Sequence, residues 1–326
     1  MKKIAILEPG AWGSALGIIL SKKNEVRFWY QTPAISLRVA KFRENDKLPE
    51  IKIPKKIFIS SNLEKIIKNS NLIINASPSF NFRKTLLPLR NFKNLPPLLG
   101  IAKGIEKETL KTPSQIVEEI LGNTSYGHLS GPGFAGQVAQ GKPAKEVIAS
   151  RNKKFLKELE GLFKIKPLQV LTTTDLTGVQ LAGALKNALA IGISLVESGI
   201  YGLEVEKIKK GLIRLSLKEM MKIGRAMRAE RKTFLGPAGL GDLILTSTNP
   251  LSRNFQFGQA LFSDAQKLRK EIIERKITVE GFDTVFAFYK LGKIHKLDLP
   301  MINEIYKVIY KKTPPKKAVE NLIKLV

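Results

Sequence analysis

Lys186 and Asn187 stand side by side in Gly183-Ala184-Leu185-Lys186-Asn187, within an apolar, small-residue stretch that reads as a helix over 181–196. A cation held against such a surface is costly unless it is paired or used, because burial disfavours its charged form. About fifty-five residues on come Gly239-Leu240-Gly241-Asp242 and then Ser252-Arg253-Asn254. A lysine, an aspartate, an arginine and two asparagines could polarise a hydroxyl or carbonyl and hold a phosphate. Arg253 suits a phosphate dianion because a guanidinium is planar, bidentate and always charged. Taken singly, Asp242 also reads as a helix cap, and Ser252-Arg253-Asn254 as a capped helix start. Together with Lys186 and Asn187 they read as a site.

The elements that must position these residues fall into two kinds. Short apolar strands are expected at 4–7, 26–30, 72–76, 98–102, 128–130 and 146–150, alternating with helical stretches such as 11–21 and 62–69. That alternation predicts an α/β fold, a Rossmann-like doubly wound sheet that is mostly parallel. From Gly178 onward only helical periodicity remains, over 179–196, 204–228, 255–275, 284–291, 302–310 and 316–326. The boundary falls near Thr173. This gives a dinucleotide-binding domain over 1–173 and an all-helical substrate and catalytic domain over 174–326.

The first strand leads into Glu8-Pro9-Gly10-Ala11-Trp12-Gly13. A dinucleotide fingerprint wants Gly-x-Gly-x-x-Gly here, so that backbone N–H groups approach a pyrophosphate at a helix N-terminus. The second and third glycines are present as Gly10 and Gly13, and Glu8 replaces the first. A carboxylate there is electrostatically unfavourable to a pyrophosphate. The second strand ends in Trp29-Tyr30-Gln31 without an acidic residue for a ribose, so NAD and NADP both remain open, with Gln31 at the deciding position.

Composition bounds the alternatives. The chain has 326 residues, no cysteine and a formal net charge of +27. Its lysines are spread from end to end without interleaved aromatics, which reads as a solvated surface able to steer anions and not as a nucleic-acid stripe. No run reaches the ~18 apolar residues of a membrane span. Without cysteine there is no disulfide framework, and the cytoplasm is the default compartment. No metal is called for.

In their order and spacing, several segments resemble the bacterial-type NAD(P)-dependent glycerol-3-phosphate dehydrogenase family. They are Gly10-Ala11-Trp12-Gly13-Ser14-Ala15-Leu16, Leu48-Pro49, Ile53-Pro54, Pro78-Ser79 with Arg83, Lys103-Gly104-Ile105-Glu106 and Ser130-Gly131-Pro132-Gly133-Phe134-Ala135. The Lys186-Asn187 run, Gly236-Pro237-Ala238-Gly239-Leu240-Gly241-Asp242-Leu243, Ser252-Arg253-Asn254 and Val279-Glu280-Gly281 complete the set. The resemblance implies reversible reduction of dihydroxyacetone phosphate to sn-glycerol 3-phosphate for phospholipid synthesis, by a homodimer. It makes Lys186 the catalytic lysine, with Asp242 as its acidic partner. Lys103 becomes the lysine near both substrate and nicotinamide.

The resemblance further places Asn187, Ser252, Arg253 and Asn254, with Gly131 and Gly133, on the substrate side. Gly10, Ala11, Trp12, Gly13, Gln31, Ala135, Val279 and Glu280 fall at cofactor positions, with Lys103 and Arg253 reaching that side as well.

The chemistry of the residues agrees. Hydride delivery to a ketone needs a proton donor that can be tuned toward neutral pH. The two histidines, His128 and His295, read as structural or surface residues. A lysine whose pKa is lowered by burial and by Lys103, and which Asp242 orients, serves instead.

The chain departs from the family pattern at several places. Besides Glu8, Ala11 stands where a small hydroxyl residue is common, and Gly133 at a Ser/Thr position. Gln137 and Gln180 replace Glu, Ala144-Lys145 replaces Thr-Ala, and Leu215-Ser216 replaces Arg-Gly. These departures keep two other readings in view. One is a non-catalytic paralogue with an impaired cofactor loop, the other a related two-domain dehydrogenase for another small phosphorylated or carboxylated substrate.

Overall fold

Ile4, Ala5, Ile6 and Leu7 are all fully buried. An uninterrupted apolar strand of this kind belongs to a sheet covered on both faces. The structure, a computed structural model, describes residues 1–200, 204–274 and 277–326. It divides into two units. The first comprises Met1–Ala102 with Pro113–Leu176, and the second Lys103–Thr112 with Thr177–Val326.

The first unit is built on one eight-stranded sheet. Its strands are β1 Lys3–Leu7, β2 Glu25–Trp29, β3 Phe58–Ser60, β4 Leu72–Asn75, β5 Leu98–Gly100, β6 Tyr126–Ser130, β7 Ala144–Ser150 and β8 Leu168–Thr173. Their spatial order is β3-β2-β1-β4-β5-β6-β7-β8. Strands β1 to β6 run parallel, β7 is antiparallel to β6, and β8 is parallel to β7. The chain winds one way from β1 through β2 to β3, then restarts beside β1 with β4. The C-terminal end of β1 therefore lies at the topological switch point, where doubly wound sheets take their ligands. The sheet is mostly parallel, as its sequence pattern predicts. The edge strands β3 and β8 are not predicted. The former is three residues long, and the latter is largely exposed with Leu171 facing outward.

The second unit is helical. Leu176–Gly199 forms its axis, with Leu181, Ala182, Ala184, Leu185, Ala188 and Leu189 fully buried. A helix that is apolar all round belongs in a core, and this one packs with Met220, Phe234, Phe257, Phe288 and Ile305. It is the one helix among the described residues whose length and composition would suffice to cross a membrane, and its apolar window is wholly buried. Around it lie Val205–Ala226, Arg231–Leu235, Asp242–Thr248, Arg253–Ile273, Glu280–Ile294, Pro300–Tyr310 and Pro315–Ile323. Arg275, the expected end of the 255–275 helix, lies outside the described residues.

One feature departs from the single cut expected near Thr173. Lys103–Thr112 leaves the sheet after β5 and packs with the helices. Lys107 explains the attachment. Its ammonium lies over the rings of Phe282, Phe286 and Tyr310, at 5.8, 5.2 and 5.4 Å from their centroids. It also pairs with Asp283 at 3.1 Å. A cation shared by three rings and a carboxylate is a strong tether for so short a segment.

A buried carboxyl organises the helices. Glu219, on Val205–Ala226, accepts hydrogen bonds from the N–H groups of Met301 (2.6 Å) and Ile302 (3.2 Å), which caps Pro300–Tyr310. Burial pushes its carboxyl up to about 7, against the pull of those two donors. The unfolded chain releases this proton near 4.5 and the folded chain near 7. The folded state therefore holds more protons across that window, and stability falls as pH rises through it. The expected loss is about 3 kcal/mol. Urea denaturation of wild type and Glu219→Gln between pH 5 and 7.5 checks this. The variant should lack that part of the pH dependence, and parallel curves would refute the assignment.

Candidate active site

The helical unit assembles a buried three-charge cluster. Lys186, midway along Leu176–Gly199, places its Nζ 3.1 Å from Asp242 Oδ1. Lys103 places its Nζ 2.7 Å from Asp242 Oδ2. Asp242 is the first residue of Asp242–Thr248 and follows a π-turn at Pro237–Gly241. Such wide turns redirect a backbone over a short distance. Gly239 is required within this one, since a Cβ there would lie 2.2 Å from the carbonyl oxygen of Phe234. Gly239 thus lets the chain turn sharply enough to aim Asp242 at both lysines.

Asp242 is 1% exposed and Lys186 is 7% exposed, so the three charges interact with little screening by water. Burial lowers the Lys186 ammonium to about 8; Asp242 opposes that fall and Lys103 adds to it. Burial alone would raise the Asp242 carboxyl, but Lys103 and Lys186 outweigh it and hold the group below the usual carboxylate range. With two cations to one anion, the cluster carries a net positive charge toward whatever it meets. Thr246, one helical turn after Asp242, completes the arrangement. It accepts from Lys186 Nζ at 2.6 Å and donates to Asp242 Oδ1 at 3.2 Å. The motif reading missed Thr246; the i, i+4 spacing from Asp242 was the available signal.

A relay of carboxamides braces the cluster. Asn187 donates through Nδ2 to the carbonyl oxygen of Lys103 (2.8 Å) and, at 3.4 Å, to Glu280. Its Oδ1 accepts from Asn254 Nδ2 at 2.8 Å. Asn254 Oδ1 in turn accepts from the N–H of Gly281 at 3.0 Å. Gly281 must be glycine for this approach, because a Cβ would lie 2.6 Å from both Asn254 Oδ1 and the Asn187 carbonyl oxygen. Both asparagines expected on the substrate side are thus engaged by protein groups. Ser252 caps Arg253–Ile273 by accepting from the N–H of Phe255 at 3.2 Å. Arg253 is exposed at the start of that helix and spends one guanidinium nitrogen on the carbonyl of Thr278 at 3.2 Å. Val279 and Glu280 form the start of Glu280–Ile294, beside Thr278.

The sheet unit carries the other group of expected residues. Gly10 sits at the N-cap of Ala11–Leu20, where no side chain caps the helix and no acidic residue lies in its first turn. The leading N–H groups are therefore left for a ligand or solvent. Gly13 packs so closely that a Cβ would lie 2.6 Å from that of Ala76, beyond β4. Lys47 reaches over the loop, its Cδ 3.7 Å from where a Gly10 Cβ would stand. An uncapped helix start with a lysine above it fits a pyrophosphate.

Glu8 takes the left-handed conformation, φ 50°, that the usual glycine would supply. Its Oε1 accepts from the backbone N–H of Gln31 at 2.5 Å. The carboxylate expected to oppose the pyrophosphate is instead bonded at the end of β2. Gln31 itself is exposed.

Trp12 donates through its indole N–H to the carbonyl of Gly133 at 3.2 Å. A Cβ on Gly133 would lie 2.9 Å from the Trp12 ring and 3.0 Å from a carboxylate oxygen of the buried Glu146. One on Gly131 would lie 2.6 Å from the carbonyl of Lys145. This accounts for the missing hydroxyl at position 133, since Glu146 and Trp12 already fill its space. Sequence reading missed Glu146 because nothing local marks a charge inside β7 as buried beneath that loop. Ala135 begins the short helix Ala135–Ala139. His128 is buried, with Nδ1 2.9 Å from the Tyr126 hydroxyl, and His295 is exposed.

Two family models match this chain. One describes the NAD-dependent glycerol-3-phosphate dehydrogenase N-terminus, over residues 3–156, and the other the C-terminus, over 175–320. A protein of Nitrosomonas eutropha named glycerol-3-phosphate dehydrogenase [NAD(P)+] is 33% identical over 322 residues, covering 98% of this chain and 97% of its own. One of the same name from Wigglesworthia glossinidia brevipalpis is 36% identical over 326 residues, covering 98% and 97%. The crystal structure of a glycerol-3-phosphate dehydrogenase from Coxiella burnetii superposes with a TM-score of 0.92 at 27% identity, covering 99% of each chain.

Proposed function

The chain belongs to the NAD-dependent glycerol-3-phosphate dehydrogenase family, and from that premise we propose that it interconverts dihydroxyacetone phosphate and sn-glycerol 3-phosphate with NAD(P)H. The product would feed phospholipid synthesis. The observation that carries this reading is the buried Lys103–Asp242–Lys186 cluster, in which a lysine lowered to about 8 is held ready beside one carboxylate.

The nicotinamide, when bound, supplies the hydride that reaches the carbonyl carbon. Lys186 then gives a proton from its ammonium to the ketone oxygen as negative charge develops there. With a pKa of about 8, it is largely protonated at neutral pH and still acidic enough to donate. Asp242 and Thr246 fix the direction of that ammonium. Lys103 adds positive charge for the developing alkoxide, an electrostatic contribution that a dry site strengthens. Arg253, exposed and with donors to spare, takes the substrate phosphate. Asn187 and Asn254 hold the Lys103 segment and Glu280–Ile294 in register. In the sheet unit, the start of Ala11–Leu20 and Lys47 hold the pyrophosphate, with Trp12 and Ala135 nearby. Binding of dinucleotide and of substrate is thereby divided between the sheet domain and the helical domain.

We further propose a cytoplasmic homodimer, as the family resemblance implies. The test follows oxidation of NADH and NADPH at 340 nm with dihydroxyacetone phosphate, using the species isolated by gel filtration. Turnover that depends on this ketone, by a species of twice the chain mass, is expected. Folded protein that turns over neither cofactor would refute the enzyme reading, and a monomer would refute the assembly.

A further inference from the structure

Glu8 gives the cofactor site a feature that the end of β2 lacks. In doubly wound folds the adenosine ribose is read at the C-terminal end of β2, where an acidic residue accepts its hydroxyls. Here that end is Trp29-Tyr30-Gln31, with no carboxylate of its own. The carboxylate that reaches it comes from the neighbouring strand. Glu8 follows β1, its N–H bonds the carbonyl of Trp29 at 2.8 Å, and its Oε1 accepts from the N–H of Gln31 at 2.5 Å. Its second oxygen makes no hydrogen bond among the described residues, and the side chain is half-buried.

The floor beneath is rigid. The Tyr30 hydroxyl donates to the carbonyl of Pro9 at 3.3 Å, and Asn45 Nδ2 to the same carbonyl at 2.8 Å. The guanidinium of Arg38, a few residues along, is ion-paired with Asp46.

We infer that Glu8 is the ribose-reading residue of this chain and selects NAD(H) over NADP(H). Its Oε2 accepts from a free ribose 2′-hydroxyl, while Oε1 stays on Gln31. A 2′-phosphate would bring a dianion against that carboxylate, in a place where the neighbouring cation is already paired. The left-handed backbone at Glu8 supports the assignment, since in that conformation its carboxylate meets the N–H of Gln31 at the end of β2. The loop's anomaly is thus a transfer of the acidic residue from β2 to β1. The inference rests on the proposed use of a nicotinamide dinucleotide, and its readout is binding without turnover.

The test measures equilibrium binding of NADH, NADPH, ADP-ribose and 2′-phospho-ADP-ribose by calorimetry, for wild type, Glu8→Gln and Glu8→Gly. Wild type should bind each unphosphorylated ligand at least ~10-fold more tightly than its 2′-phosphorylated counterpart. Glutamine keeps an acceptor for Gln31 but loses the charge, so most of that ratio should vanish, chiefly through tighter binding of the phosphorylated ligands. Glycine should also bring the ratio near one, and it suits the local backbone, so misfolding cannot mask the result. Wild type that binds NADPH as tightly as NADH overturns the inference, as do variants that keep the wild-type ratio. A glycine variant that tightens all four ligands equally overturns it too, since Glu8 would then only oppose the pyrophosphate. If nothing binds to any of the three proteins, the dinucleotide reading itself falls, and the ketone assay fails with it.

Discussion

Lys186→Met is expected to lower kcat for ketone reduction by roughly 10³-fold, within the range seen when a general acid is removed, while KM for dihydroxyacetone phosphate changes only a few-fold. Methionine, unbranched and one atom shorter, replaces the aliphatic stem and suits the apolar helix, and Asp242 keeps Lys103 as a partner at 2.7 Å. The fold should therefore persist, and thermal denaturation checks that it does. The wild-type pH profile supplies a second signature. Reduction needs the ammonium, so its rate should decline above about pH 8, as Lys186 loses its proton. Oxidation of sn-glycerol 3-phosphate needs the free amine, so its rate should rise through the same range. A variant retaining a tenth of wild-type kcat would remove Lys186 from the chemistry.

Asp242→Asn should be the more damaging change to the fold. It leaves Lys103 and Lys186 facing each other in a buried site without their common counter-ion, and breaking a buried pair in this way costs about 3–5 kcal/mol. Without the carboxylate, the Lys186 ammonium falls further, and the high-pH limb of ketone reduction moves to lower pH. The sign of the stability effect follows from the same shift. Because the folded-state Lys186 pKa lies below the ordinary 10.5, the unfolded chain holds more protons, from about pH 8 upward in wild type and from lower pH in the variant. The deficit should therefore shrink as pH rises toward about 8 and level off above it, where both folded proteins have released the proton. Urea titrations of variant and wild type at pH 7 and pH 9.5 measure it. A deficit that stays constant, or one below about 1 kcal/mol, would show that the lysines do not depend on Asp242.

The central strands were legible because burial on both faces writes itself as unbroken apolar runs, as in Ile4, Ala5, Ile6 and Leu7 or Leu72, Ile73 and Ile74. The edge strands β3 and β8 lack that signal, being short or half-exposed. The axial helix was legible for the same reason as β1. Within the candidate site, Lys186 and Asp242 stood out because charges in small-residue or glycine-rich surroundings are conspicuous along the chain, whereas Lys103 entered only through the family resemblance. Their mutual distances were not legible, since Lys103 and Asp242 are 139 positions apart and meet only through tertiary packing. Thr246, Glu146 and the Asn187–Asn254 relay were hidden for the same reason. A polar side chain declares its partner only when the fold supplies one. Glu8 was conspicuous, but its direction depended on a positive φ and on the neighbouring strand.

The excursion of Lys103–Thr112 into the helical unit also bears on how the chain is made. This segment leaves the ribosome before the rest of its own unit, which begins at Thr177. At the ~5–20 residues per second of translation, Lys103 waits roughly 7–30 s for Asp242 to be synthesised. The rings of Phe282, Phe286 and Tyr310 that hold Lys107 come later still. The sheet can close around β5 and β6 in the meantime, with Lys103-Gly104-Ile105-Glu106-Lys107-Glu108-Thr109-Leu110-Lys111-Thr112 left as a loop. Its four charged residues before Thr109, with Lys111 after it, keep that loop soluble while it waits. The buried Lys103–Asp242–Lys186 cluster is therefore among the last parts of the molecule to form, so a nascent chain interrupted between residues 173 and 242 would have a finished sheet and an incomplete cluster.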